Sequence, residues 1–247
     1  MTKSQAAHHA VGVNNKKWAI GFSTIVAVIF LLNVFVLPNA NTQVQRFFNA
    51  WFSLNSLAEI MIWILMALGL NIIVGYAGLL DLGYVAFWAL GGYVAGWLMS
   101  PFLSQYQVNF FGNARAGFEQ GIHFHLFLVL ILGGVFTAIW GVIIGGPTLR
   151  LKSDYLALVT LGFGEIIPQF MLNGSNIFGL NVTNGAQGIG GLDQPKIFGY
   201  TMGTFDLPAK FLMVSLLAGA MLFFSIRLRD GRLGRAWLAI REDELAA

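Results

Sequence analysis

"KKWAIGFSTIVAVIFLLNVFVLP", residues 16–38, decides the fold class. Two lysines precede a run, residues 18–37, that carries no charge at all. About 20 apolar residues are what an α-helix needs to cross the ~30 Å hydrocarbon core of a bilayer. The run is too long for the apolar part of a cleaved leader, and no small-x-small site stands after it. It reads as an uncleaved membrane anchor.

The rest of the chain repeats the pattern. Of 247 residues, 57% are hydrophobic and 10% charged, too few charges to cover a water-facing surface. Apolar runs recur at 52–74, 79–100, 124–146, 155–172 and 209–227. With 18–37 they make about six spans. The expected fold class is an all-α, polytopic membrane helix bundle. The expected organisation is an N-terminal tail at 1–17, a transmembrane domain at 18–230 and a further helix at 231–247.

Composition also excludes. The net charge of +3 is too small, and the basic residues too scattered, for a nucleic-acid partner. There are no cysteines, hence no disulfide, no thiolate metal site and no cysteine nucleophile. His8, His9, His123 and His125 read as solvated or interfacial side chains rather than metal ligands. No Gly-Lys dipeptide occurs, so a phosphate-binding P-loop is absent. No metal and no cofactor are expected.

Lys and Arg set the orientation, because they concentrate on the cytoplasmic side. With the N-terminus inside, Lys3, Lys16, Lys17, Arg150, Lys152, Arg227, Arg229, Arg232, Arg235 and Arg241 all fall inside. Only Arg46, Arg115, Lys196 and Lys210 fall outside. Both termini are therefore expected in the cytoplasm.

Three carboxylates lie in or beside apolar runs, where a charge at mid-bilayer costs about 2.5–3.5 kcal/mol on insertion scales. Glu59 is near the outer end of its span and within reach of water. Asp81, just past the Gly75–Gly78 turn, suits either the positive end of a helix dipole or a transport path. Glu165 is deeper, in "YLALVTLGFGEIIP", with Gly162 and Gly164 before it and Pro168 after it. Such a span resembles the broken helices that line transport paths, and equally a simple structural kink. The Gly92–Gly96 spacing reads as helix packing.

The tail "GRAWLAIREDELAA", residues 234–247, is apolar on one side through Trp237 and Ile240 and strongly polar at its end. It fits an amphipathic helix resting on lipid, or one offered to a partner's groove. The tail resembles the cytoplasmic coupling loop of ABC-transporter permeases of the branched-chain amino-acid uptake family. "LGLNIIVGYAGLLDLGYVAFWALGGY" (68–93), "LRLKSDYLALVTLGFGEII" (149–167) and "NVTNGAQGIGG" (181–191) are similar to further family signatures, in the same order. The family often has a basic residue where this chain has Pro168, and proline where it has Ala186.

The resemblance implies an inner-membrane permease subunit for uptake of leucine, isoleucine and valine. It implies a second permease subunit, two cytoplasmic ATPase subunits and a periplasmic substrate-binding protein as partners, besides membrane lipid. ATP hydrolysis is expected in the separate ATPase. Gly234, Arg235, Trp237, Ile240, Arg241, Glu242 and Asp243 are the expected ATPase-coupling residues. Asn71, Asp81, Thr160 and Glu165 are candidates for the substrate path. A coupling loop should return into another span, so a chain truncated at its C-terminus is expected. The rivals are a urea or short-amide permease of the same design, an ion-coupled carrier using Glu165 or Asp81, and a non-transporting membrane scaffold.

Overall fold

The computed structural model of the chain describes residues 3–114, 117–148, 153–197, 199–203 and 205–242. It is 71% helical, as an all-α membrane bundle requires. Among the described residues, five helical segments are long and apolar enough to span a bilayer: Lys17–Asn39, Thr42–Ala77, Leu126–Thr148, Tyr155–Asn173 and Leu207–Asp230. The run at 79–100 behaves differently. Only Tyr84–Leu98 is helical there, 15 residues, or ~22 Å at 1.5 Å per residue, short of the ~30 Å core. Arg115, Arg150 and Lys152, counted in the charge asymmetry, lie outside the described residues.

The chain folds as two compact units, residues 1–78 with 205–247, and residues 79–204. In the first, α1 (Lys3–Leu31) is continuous from the polar tail into the apolar run. It leads through a π-helical turn and Pro38 to a short α2 (Thr42–Trp51). α3 (Leu54–Asn71) starts where the Ser53 hydroxyl accepts the Ser56 N–H at 3.1 Å, a side-chain N-cap. It runs on as a π-helical turn, Ile72–Ala77, which ends at Gly78 with φ +71°. α7 (Leu207–Asp230) packs along α3, and α8 (Arg232–Glu242) packs against the end of α7 and the π-helical turn. Leu57, Met61, Phe211 and Ala218 form the core of this unit, with Phe22, Val26 and Phe30 of α1 laid against it.

In the second unit, α4 (Tyr84–Leu98) packs against α5 (Leu126–Thr148) and α6 (Ser153–Asn173). Trp97 and Phe136 meet edge to face at 6.1 Å between ring centres. The α4–α5 connection is not a plain loop. β1 (Met99–Ser100) pairs antiparallel with β3 (Gly121–Phe124), which pairs parallel with β2 (Gln107–Phe110). A second small hairpin joins β4 (Lys196–Ile197) and β5 (Tyr200–Thr201). Apolar side chains such as Val142 and Ile131 stay outward-facing, as lipid contact permits.

Two local expectations are corrected. The Gly92–Gly96 pair does not make a helix-to-helix seam: Gly96 is backed by the Ile189 side chain at 3.1 Å, and Gly92 has nothing within 4 Å. His123 is not solvated. It is 1% exposed, because its ring is held inside the protein by the Asp193 carboxylate.

Candidate functional site

The irregular stretch between Gly78 and α4 is the first candidate site, because backbone that leaves the helix between apolar segments must find its hydrogen bonds elsewhere in the protein. It does so locally. The Leu82 N–H donates to the Thr160 hydroxyl at 3.1 Å, and the Gly83 N–H donates to the Asp81 carboxylate at 2.8 Å. Thr160 is 8% exposed and its own hydroxyl donates to the Ala157 carbonyl at 3.1 Å. A Cβ at position 83 would overlap the Thr160 carbonyl oxygen. One helical turn on, a Cβ at Gly164 would stand 3.2 Å from the Leu82 carbonyl. Glycine at 83 and at 164 thus lets the loop backbone lie directly on α6.

Two of the four substrate-path candidates, Asp81 and Thr160, are therefore neighbours through Leu82 and Gly83. Glu165 is exposed on α6. α6 itself stays helical from Ser153 to Asn173 across Pro168. Proline has no N–H, so the Gly164 carbonyl lacks its intrahelical donor on the same turn that carries the loop contact. Asn71 belongs to the other unit. It is exposed at the end of α3, and its side-chain oxygen fills the space that a Cβ of Gly75 would need.

The second candidate site is the α7–α8 corner. Gly234 is buried, and a Cβ there would overlap the carbonyl oxygens of Leu228 and Arg229. Glycine therefore lets α8 fold tightly back on α7. Arg235 is exposed and Trp237 half-buried. Ile240, Arg241 and Glu242 lie in α8, but their side chains are outside the described residues, as is the whole of Asp243. Inside the corner, the Tyr76 and Ser225 hydroxyls hydrogen-bond at 2.9 Å, and Ser225 is 2% exposed. Sequence reasoning missed this pair. An isolated serine in an apolar span was the available signal.

The third feature lies where α4, α5 and α6 meet the strands. Thr183, wholly buried, donates to the Met171 carbonyl at 2.7 Å, and the Trp97 indole N–H donates to the Val182 carbonyl at 2.8 Å. The Asn181–Gly191 segment is thereby clamped onto the ends of α4 and α6. Below it, His123 Nδ1 stands 2.9 Å from both oxygens of Asp193, and the Asp193 N–H donates to the Met99 carbonyl at 2.8 Å. Burial pushes the Asp193 carboxyl above its usual pKa, and the His123 hydrogen bond and charge partly offset this. Nothing local in the sequence signals a pair 70 positions apart.

Among the described residues, no group of three or more His, Asp or Glu side chains is placed to hold a metal ion. The polar side chains of the three sites bond backbone groups or one another and so tie loops, strands and helices together. Such an arrangement organises helices around irregular segments.

The family model described as the branched-chain amino acid transport system permease component matches residues 52–247. The high-affinity branched-chain amino acid transport system permease protein LivM of Salmonella typhimurium is 34% identical, over 98% of this chain and 55% of that protein. Its counterpart in Escherichia coli K12 is 34% identical, over 92% of this chain and 52% of that protein. A probable branched-chain amino acid transport permease protein LivM of Methanocaldococcus jannaschii is 25% identical, over 78% of this chain and 58% of that protein. This chain thus spans about half the length of the curated relatives it matches. No solved structure matches it. It is a multi-pass membrane protein and belongs to the family of branched-chain amino acid transport permease components.

Proposed function

We propose that this chain is a permease subunit of an ABC importer that carries branched-chain amino acids across the inner membrane. The observation that carries the reading is the family match over residues 52–247, which takes in every helix from α3 to α8. The partners are a second permease subunit, two ATPase subunits that hydrolyse ATP on the cytoplasmic side, and a periplasmic substrate-binding protein. The irregular residues 79–83 and α4 together make the sixth crossing, so the N-terminus and α8 face the cytoplasm, in keeping with ten of 14 Lys and Arg residues on that side.

In this reading α8 is the handle that the ATPase grips. Arg235 is exposed and available to it, and Arg241, Glu242 and Asp243 are the further coupling residues. ATP binding displaces α8, and hydrolysis resets it. Asp81, Thr160 and the loop between Gly78 and Tyr84 line the path, because unwound backbone beside a span is how transporters expose polar groups at membrane depth. Glu165 is a weaker candidate for the same path, and Asn71, in the other unit, is a separate weaker candidate.

The test is uptake of labelled leucine, isoleucine and valine into proteoliposomes holding the complete transporter, with and without ATP inside. ATP-dependent accumulation of these amino acids, out-competed by one another and not by urea, is expected. Accumulation driven by a proton gradient without ATPase subunits would sink the assignment.

A further inference from the structure

A π-helical turn interrupts the end of α3 at Ile72–Ala77. Such a turn is wider and less favourable than an α-turn, and it persists where surrounding contacts hold it. Three contacts converge on this one. The Tyr76 hydroxyl bonds the buried Ser225 hydroxyl at 2.9 Å, 149 residues away in the chain. The Asn71 side-chain oxygen is seated where Gly75 has no Cβ. α8 packs directly against the turn, and Gly234 holds α8 against the last carbonyls of α7.

The turn has an obvious second state. A π-turn holds one residue more than an α-turn, and one residue is ~100° of rotation about the axis at 3.6 residues per turn. Relaxation to α would turn Gly78 and the few residues directly after it around the helix axis by about that angle. Gly78 comes next, with the φ of +71° that ends the helix, and beyond it the loop whose Leu82 N–H rests on Thr160. Such a discrete two-state element, biased from one side and read out on the other, is what physical coupling between sites requires.

We propose that the Ile72–Ala77 turn is the conformational switch of this permease, and that the Tyr76–Ser225 hydrogen bond is its catch. With α8 in place the catch is closed and the turn is π-helical. Displacement of α8 uncovers the turn, Tyr76 leaves Ser225, and the turn relaxes to α. The loop then rotates and the Leu82 amide withdraws from Thr160. Tyr76 and Ser225 touch no substrate; they are positioning residues. The proposal rests on the reading of α8 as the handle of an ATP-driven permease.

The experiment measures ATP hydrolysed per leucine imported by the complete transporter in proteoliposomes. The variants are Tyr76→Phe, Ser225→Ala, the double substitution, and Ser225→Thr, which keeps a hydroxyl. Couplings of this kind respond to single substitutions several-fold. Either single variant should raise the ATP-to-leucine ratio by about threefold. The double should equal the singles rather than multiply them, since one bond is lost in each case. Ser225→Thr should restore the ratio. A merely structural bond would lower uptake and hydrolysis together and leave the ratio unmoved, which overturns the proposal, as does a multiplicative double variant. If the unsubstituted transporter imports no leucine with ATP, the functional reading and the switch fall together. If it does, and the ratio is insensitive to all four variants, the switch alone falls.

Discussion

The Leu82 amide and the Thr160 hydroxyl, 78 positions apart, meet at 3.1 Å, and this contact anchors an irregular membrane segment to a helix. It exists because position 83 has no side chain. The Gly83 backbone lies so close to the Thr160 carbonyl that no other residue fits without moving the loop.

Gly83→Ala should therefore destabilise the protein in detergent by about 1–3 kcal/mol, the range for overpacking a closed contact. Thermal unfolding followed by circular dichroism gives the number. Gly162→Ala is the control, since nothing stands within 4 Å of a Cβ there. Equal melting temperatures for the two variants would contradict the close approach.

Asp193 makes stability depend on pH with a defined sign. Burial raises its folded-state pKa above the ordinary value, with His123 opposing. Folding therefore favours the protonated carboxyl. That contribution is complete below the ordinary carboxylate range and is lost as pH rises through the raised folded-state value. Asp193→Asn cannot titrate and still offers an oxygen to His123. Its melting temperature relative to the unsubstituted protein should climb as pH is taken from about 4, the usual carboxylate value, to 7. A difference that is flat or falls over that window would show that His123 outweighs burial.

Ser215 is 3% exposed and, among the described residues, its hydroxyl has no hydrogen-bond partner. An unmade hydrogen bond at a buried group costs about 1–3 kcal/mol. Ser215→Ala should accordingly stabilise the isolated chain by about 1 kcal/mol, a rise of roughly 2–4 °C for a protein of this size. Unfolding in detergent checks it, and a loss of stability would mean that the hydroxyl is bonded in the membrane.

The α8 corner separates structure from coupling. Gly234→Ala should lower stability, because the new Cβ meets the Leu228 and Arg229 carbonyls. Arg235 is exposed, so Arg235→Glu should leave stability within about 0.5 kcal/mol. In the complete transporter the same substitution should raise the ATP spent per amino acid. Melting curves and the uptake assay, run side by side, distinguish the two effects.

Much of the molecule was legible from residues alone. A chain with so few charges and uncharged runs of about 20 residues can only satisfy its backbone inside lipid as helices, which gives the class and the approximate spans. The tail past Arg227 was legible as a helix through its Ala, Leu, Arg and Glu content. The exceptions have physical causes. Residues 79–83 are apolar enough to look like span, yet Gly78 and Gly83 favour an irregular path and Asp81 closes it. His123 looked solvated because its partner is 70 residues away.

Local chemistry, then, determined that this protein is a bundle of membrane helices, because hydrophobic run length and backbone hydrogen bonding are properties of consecutive residues. Tertiary structure alone decided which polar groups meet: Leu82 with Thr160, Tyr76 with Ser225, His123 with Asp193. Each of these pairs joins distant parts of the chain. Inside an apolar environment a polar group takes whatever partner packing brings within reach, and packing depends on where the small residues let backbones approach.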